Sequence, residues 1–575
     1  MPPGLGDGSA RIPGTSGASA ASGAGGAHNG PRGALMVCGT ASDVGKSRIV
    51  TGLCRALARR GHTVAPFKGQ NMSLNSTVTP SGHEIARSQA LQAFAARTEV
   101  EVLMGPVLLK PAGEVSSQLV VMGRPAGEVS FGTGWDPGDL LTGVVLPALG
   151  QLRRRFDFVL VEGAGGAAEV NLLERDIANL PLARAASLPA VLVGDIERGG
   201  VFASLFGTVA LLPDDLRAQL RGFVINKFRG DPHLLRPGID ELARRLSMPC
   251  LGVLPHLGVL AVDEEDSLAL APRPATGATA GATGEQAAAY IAGDVAADES
   301  VDVAVIGLPH ISNFTDFAPL ALESTVRVRH VYHPGSLGDP DLVVLPGSKA
   351  TVADLGWLRS GGFLPAIDAA RRRGASLLGV CAGYQMLGTD IYDTVESGVG
   401  HVPGLGALAV TTAFRPLKTT RWRQGRTASG EPVTVTGFEI HHGQPVAGPG
   451  DEPWFLLGDG LALEPEGVAD PGPGLWATSL HGLFENDELR ARFLSLVAER
   501  RGKRFRPSGV PFGAAREQMV DLLADAVEAH LDLSTLVAIA GEAAPVPAAA
   551  RRQTPSARRQ TAATGADIAR PICDA

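Results

Sequence analysis

Along most of the chain, apolar residues gather in short runs separated by segments of helical period. The first runs are Ala34–Cys38, Thr63–Phe67, Phe158–Val161, Ala190–Val193 and Gly222–Ile225. Between the first two, Ser47–Arg60 spaces its apolar positions three and four apart, as an amphipathic helix does. A strand buried on both faces reads as a continuous apolar run, and strands alternating with helices build a parallel, doubly wound sheet. The rhythm returns in Asp302–Ile306, Leu342–Leu345, the helix-like Gly362–Arg373 and Ser376–Val380. The pattern therefore predicts an α/β protein with two doubly wound, mostly parallel-sheet domains.

Composition sets the boundaries. Residues 263–300 are dominated by Ala, Gly and Thr and read as a linker between domains at 34–262 and 301–500. Residues 1–33, rich in Gly, Ala and Ser, and 541–575, rich in Ala, Pro and Arg, read as disordered tails, which leaves a C-terminal helical extension at 501–540. At 575 residues the chain exceeds what one hydrophobic core supports, and 45% apolar with 19% charged residues is a globular balance.

A net charge of −8 carries no nucleic-acid footprint. No stretch of about 20 residues is apolar enough to cross a bilayer, so no membrane partner is expected. The five cysteines, Cys38, Cys54, Cys250, Cys381 and Cys573, are odd in number and widely scattered. They lack zinc-site or disulfide spacing and favour a reducing cytoplasm. Oligomeric state is not legible.

The first chemical motif is Gly39-Thr-Ala-Ser-Asp-Val-Gly45-Lys46-Ser47, placed after an apolar strand and at the start of a helix. In that context backbone N–H groups cradle phosphate, a lysine such as Lys46 reaches the β- and γ-phosphates, and a hydroxyl such as that of Ser47 ligates Mg²⁺. The loop has five residues between Gly39 and Gly45, one more than the usual pattern. With Val64-Ala-Pro-Phe-Lys68 and Val161-Glu162-Gly-Ala-Gly-Gly166, this P-loop region resembles dethiobiotin synthetase and its relatives, which activate carboxylates with ATP. The resemblance implies Lys68 beside the transferring phosphoryl group and Glu162 joining Ser47 around Mg²⁺. Asn226-Lys227 follows another strand, and two readings stay open: a contact to the base, or a turn.

The second motif, Leu377-Leu-Gly-Val-Cys381-Ala-Gly-Tyr-Gln-Met-Leu-Gly388, is an apolar strand, a cysteine flanked by small residues and a helix. Small neighbours permit a strained strand-to-helix turn that exposes Sγ, and a helix N-terminus favours thiolate. A base is needed, and His481 in Trp476-Ala-Thr-Ser-Leu-His481-Gly-Leu-Phe484 is the first candidate, with His441 and His442 as rivals. The turn Leu345-Pro-Gly347-Ser348 is a candidate oxyanion loop or a plain strand end. This half resembles the class I glutamine amidotransferases, whose cysteine attacks the glutamine side chain and releases ammonia. Many of them orient the histidine with a glutamate two residues on, where this chain has Leu483. The alternatives are Glu485, Glu439 or a Cys–His dyad.

Five further segments carry the nearest resemblance: Ala65–Asn75, Pro106–Pro111, Gly194–Ala203, Asn226–Asp231 and Leu308–Phe317. From Ala34 to about Leu536 the chain is similar to the cobyric acid synthase family. That likeness implies ATP, Mg²⁺, glutamine and a corrinoid, adenosylcobyrinic acid a,c-diamide, as the reacting partners. Four carboxylates, b, d, e and g, would be amidated through acyl phosphates during cobalamin synthesis. The polar run Gln70, Asn71, Ser73, Asn75 suits substrate recognition or a structured loop. Two other readings are kept: cobyrinic acid a,c-diamide synthase, with the same chemistry on two other carboxylates, and a nucleotide-switch ATPase with a degenerate glutaminase domain.

Overall fold

The computed structural model describes residues 32–113, 116–130, 136–258, 299–458, 462–470 and 472–544. Of the tails read at 1–33 and 541–575, residues 1–31 and 545–575 lie outside the described residues, as do residues 263–298 of the linker, while Gly33 opens the first strand.

The first sheet has six strands in the order Cys250–Pro255, Leu220–Phe228, Ala190–Asp195, Gly33–Gly39, Phe158–Glu162 and Val64–Phe67. All neighbours pair in parallel. The second sheet runs Val326–Val331, Val301–Ile306, Leu342–Leu345, Ser376–Val380, Leu475–Thr478 and Val468–Asp470, parallel except for its last strand. The central strands are buried along their length, as their unbroken apolar runs require.

Two features depart from the simple alternation. A third, mixed sheet is built around a hairpin of Thr411–Thr427, largely exposed, and Thr434–Val446, largely buried in its middle. Between Phe67 and Phe158 the chain also leaves the first sheet. It forms the short pair Ser76–Val78 and Glu84–Ala86, the helix Arg87–Ala95 and an antiparallel sheet over Val107–Ser130.

The C-terminal helices return to the first domain. Phe512–His530 lies along Lys46–Arg59, so close at Gly52 that an added Cβ would sit 2.6 Å from the Leu523 carbonyl oxygen. Arg55, fully buried, meets Glu517 at 2.7 Å. Val520, Val527 and Leu536 share one apolar core with Leu35 and Val37 of the first strand. Burial of that helix face, not sequence proximity, assigns the C-terminal helices to the nucleotide-side core.

Candidate active sites

Doubly wound sheets present their chemistry at the carboxyl ends of their strands, and both candidate sites lie there. In the first domain, Gly45 precedes the helix with φ +97°, and a Cβ there would meet Asn226 Nδ2 at 2.2 Å, so only glycine fits. Asn226 Nδ2 donates to the Val44 carbonyl at 2.8 Å, and Lys227 Nζ donates to the Asp43 carbonyl at 2.7 Å. Both residues therefore brace the loop from the strand Leu220–Phe228, two places away in the sheet.

Lys46 is buried, its Nζ donating to the Ala41 and Gly165 carbonyls at 3.0 and 2.9 Å. Three groups converge on Glu162, which is fully buried: Ser47 Oγ and Lys68 Nζ each lie 2.8 Å from Oε1, and Gln92 Nε2 donates to Oε2. An isolated buried carboxylate is costly, and here it is compensated by a cation and two neutral donors. Gln92 was not singled out in the sequence; it lies on a helix about twenty-five residues after Lys68, in no phosphate motif.

In the second domain, Cys381 joins the strand Ser376–Val380 to the helix Ala382–Leu387 at φ +52°, ψ −106°, a strained conformation for a residue with a Cβ. Its small neighbours have a packing reason. A Cβ on Gly383 would lie 1.9 Å from the Leu345 carbonyl oxygen, and one on Gly379 would lie 2.6 Å from Leu387. The Cys381 N–H donates to the Thr478 carbonyl at 2.7 Å, which ties the turn to the strand that delivers His481.

Cys381 acts electrostatically on His481, and the imidazole is held by Asp316, whose Oδ2 is 2.6 Å from Nδ1. Asp316 Oδ1 also accepts the Gly482 N–H at 3.0 Å. Burial opposes a charge on His481, but Asp316 and Cys381 outweigh it and lift the pKa to about 10. The ring stacks on Phe438, centroids 5.4 Å apart, and His481 and Phe438 exchange backbone hydrogen bonds.

Neither glutamate weighed as the orienting group touches His481 in the described contacts. Glu439 accepts from Arg421 Nε at 2.6 Å, and Glu485 pairs with Arg87 of the first domain. Leu483 is buried. The carboxylate comes instead from the Leu308–Phe317 segment, about 165 residues before the histidine, so no spacing rule could have found it. Its one sequence signal was its place in a family-like segment.

His441 and His442 do not join the pair. His442 Nδ1 bonds the Arg415 carbonyl at 2.9 Å, while His441, its ring nitrogens buried, is driven by desolvation to a pKa of about 4. Gly347 packs against the imidazole edge: a Cβ there would lie 3.2 Å from His481 Cε1.

The domains meet through polar contacts. Glu84, buried in the first domain, binds Lys110 at 2.6 Å and Lys418 of the Thr411–Thr427 strand at 2.7 Å. Burial lowers the Lys418 pKa to about 8 despite that partner. Trp422 Nε1 donates to the Val78 carbonyl at 2.6 Å. Asn71, Ser73 and Asn75 are buried and bonded within the protein, as a structured loop requires.

Comparison with known proteins agrees with this architecture. Residues 35–266 match the CobQ/CobB/MinD/ParA nucleotide binding domain and residues 302–489 the CobB/CobQ-like glutamine amidotransferase domain. The cobyric acid synthase of Nocardia farcinica is 47% identical over 89% of this chain and 98% of its own length. That of Rhodococcus jostii is 48% identical over 89% of this chain and 96% of its own. A solved glutamine amidotransferase aligns with 34% of this chain and 98% of its own, 19% identical, with a TM-score of 0.28. No helix among the described residues is long and apolar enough to cross a membrane. With both domain models in order on one chain and near-half identity across nearly all of two relatives, the protein belongs to the cobyric acid synthase family, the glutamine-dependent amide-forming ligases of cobalamin synthesis.

Proposed function

We propose that the protein amidates the b, d, e and g carboxylates of adenosylcobyrinic acid a,c-diamide, with Cys381, His481 and Asp316 releasing ammonia from glutamine and Lys46, Ser47, Lys68 and Glu162 serving phosphoryl transfer. One observation carries the reading: a buried cysteine at a strained strand-to-helix turn is coupled electrostatically to a buried imidazole whose Nδ1 is 2.6 Å from a carboxylate.

That arrangement suits acyl transfer. The Cys381 thiolate attacks the glutamine side-chain carbonyl, and His481, held protonated by Asp316, gives its proton to the departing ammonia. A glutamyl thioester remains at Sγ. His481, now neutral, takes a proton from water as the water attacks that thioester, which frees glutamate and restores the thiolate–imidazolium pair. Gly347, packed beside the imidazole, begins a turn suited to hold the oxyanion.

In the other site a carboxylate must first become an electrophile, because its charge and resonance resist ammonia. Phosphorylation by ATP supplies both a reactive carbonyl and a leaving group. The buried cations Lys46 and Lys68 spread charge on the transferring phosphoryl group. Ser47 Oγ and the Glu162 carboxylate form a small, hard oxygen pair of the kind that holds Mg²⁺ together with phosphate oxygens. Mg²⁺ would supply a Lewis acid at those oxygens. The ammonia nitrogen then attacks the acyl carbonyl, the C–O bond to phosphate breaks, and a proton leaves the nitrogen. Four free cysteines among the described residues fit a cytoplasmic setting.

The test is mass spectrometry of adenosylcobyrinic acid a,c-diamide incubated with the protein, ATP, Mg²⁺ and glutamine. Stepwise gain of four amides is the expected result; an unchanged mass, with glutamine still hydrolysed, would move the acceptor to another carboxylate. Cys381→Ala should lose glutamine-driven product and keep ammonium-driven product.

A further inference from the structure

Asp316 belongs to a segment that the nucleotide-binding domain holds in place. It lies in the 3₁₀ helix Phe314–Leu322, entered through Asn313 at φ +50°. Three consecutive residues of the first domain grip that entry. The Asn313 N–H donates to the Leu74 carbonyl at 3.3 Å, the Ser76 N–H donates to Asn313 Oδ1 at 2.9 Å, and the Thr315 hydroxyl donates to Asn75 Oδ1 at 3.0 Å. Asn75, Ser76, Asn313, Thr315 and Asp316 are all buried. Asparagine tolerates the left-handed region better than most residues, and here its backbone N–H and its Oδ1 are both bonded to the first domain, so these bonds help decide where Asp316 stands.

The gripping residues are continuous with the phosphate site. Ser76–Val78 pairs with Glu84–Ala86, which runs directly into the helix Arg87–Ala95. The first residue of that helix pairs with Glu485, four residues after His481, and Gln92 donates to the carboxylate of Glu162. One excursion of the first domain therefore touches Glu162 at one end and both flanks of the His481–Asp316 pair at the other.

We propose that Asn75 is a positioning residue of the glutaminase: through Thr315, and with the bracket on Asn313, it fixes Asp316 against His481, so that glutamine hydrolysis depends on the conformation of the nucleotide-binding domain's Leu74–Ser76 loop. The proposal rests on the reading of Cys381, His481 and Asp316 as the glutaminase centre. A ligand that shifts this loop changes the population of the Asp316-engaged state and hence the hydrolysis rate, and the coupling is reciprocal for binding.

The test uses the full chain. Thr315→Val keeps the side-chain shape and removes the hydroxyl that Asn75 accepts. It should lower the glutaminase kcat about tenfold, the scale of one lost buried hydrogen bond, with KM for glutamine changed by less than about twofold. Ammonium-driven amidation should persist, and the pH profile for alkylation of Cys381 by iodoacetamide should move to higher pH. Thr315→Ser, which keeps the hydroxyl, should recover both readouts. An unmoved kcat and alkylation profile in Thr315→Val, equal loss of ammonium-driven amidation, or failure of Thr315→Ser to recover would each overturn the proposal. Cys381→Ala, assayed in parallel, separates the two levels: if it still hydrolyses glutamine, the underlying reading of the centre fails instead.

Discussion

The proposed phosphate site and the proposed glutaminase site sit on similar, mostly parallel sheets, yet they are assembled differently. Around Glu162 the cation Lys68 and the neutral donors Ser47 and Gln92 come from a strand end of the sheet and the two helices beside it, all within one domain. Around His481 the nucleophile and base come from adjacent strand ends, while the carboxylate comes from a 3₁₀ helix whose entry the other domain grips. A phosphate site needs fixed positive charge from residues the local fold already delivers. An oriented imidazole needs one acceptor within about 3 Å, and any element that reaches Nδ1 can supply it.

That contrast can be broken most severely at Lys46. Lys46→Ala should remove amide synthesis with glutamine and with ammonium alike, because the phosphoryl acceptor step precedes use of either nitrogen source; ATP-dependent amidation at the normal rate would refute the assignment of the phosphate site.

Asp316→Asn should leave ammonium-driven synthesis intact and reduce glutaminase kcat by about 100-fold, within the range of a general acid–base contribution. The pH dependence sharpens this. His481 ionises near 10 in the folded protein against 6.5 unfolded, so its charge stabilises the fold fully below pH 6.5, and the contribution fades as pH rises towards about 10. Asp316→Asn should flatten that part of the stability curve, as read by thermal unfolding between pH 6.5 and 10. A wild-type slope in the variant would mean that Asp316 does not hold the imidazolium.

A smaller effect, on stability rather than chemistry, is expected at Gly383. With 1.9 Å to the Leu345 carbonyl, Gly383→Ala must displace backbone, costing about 2–3 kcal/mol and distorting the cysteine turn. Denaturant unfolding measures it. The smallest effect belongs to Glu485→Gln, which should change glutaminase kcat by less than about threefold, since Glu485 faces Arg87 and not the imidazole. A loss matching that of Asp316→Asn would return Glu485 to the role of orienting group.

The two parallel sheets were legible because strands buried on both faces leave unbroken apolar runs, as in Phe158–Glu162 and Leu342–Leu345. The mixed sheet was not: the Thr411–Thr427 strand carries Arg415, Lys418, Arg421 and Arg423 among few apolar residues, and its period-two burial is broken by a shift of register between Phe414 and Thr419. Within the sites, Gly45–Ser47 and Ala382–Gly383 were readable because the backbone turns themselves demand glycine and small residues at fixed spacing.

By itself, the sequence determined the two domains' α/β character and marked the phosphate-loop motif and the Cys381 and His481 pair as candidates, each through a local rule linking residue type to backbone geometry. Tertiary structure alone decided which carboxylate meets His481, which domain the C-terminal helices complete, and which buried amides join the domains. Those choices turn on hydrogen-bond distance and on which apolar face is buried. Residues such as Asp316 and His481, or Gly52 and Leu523, meet those conditions only once the folded sheets bring distant segments within a few ångströms.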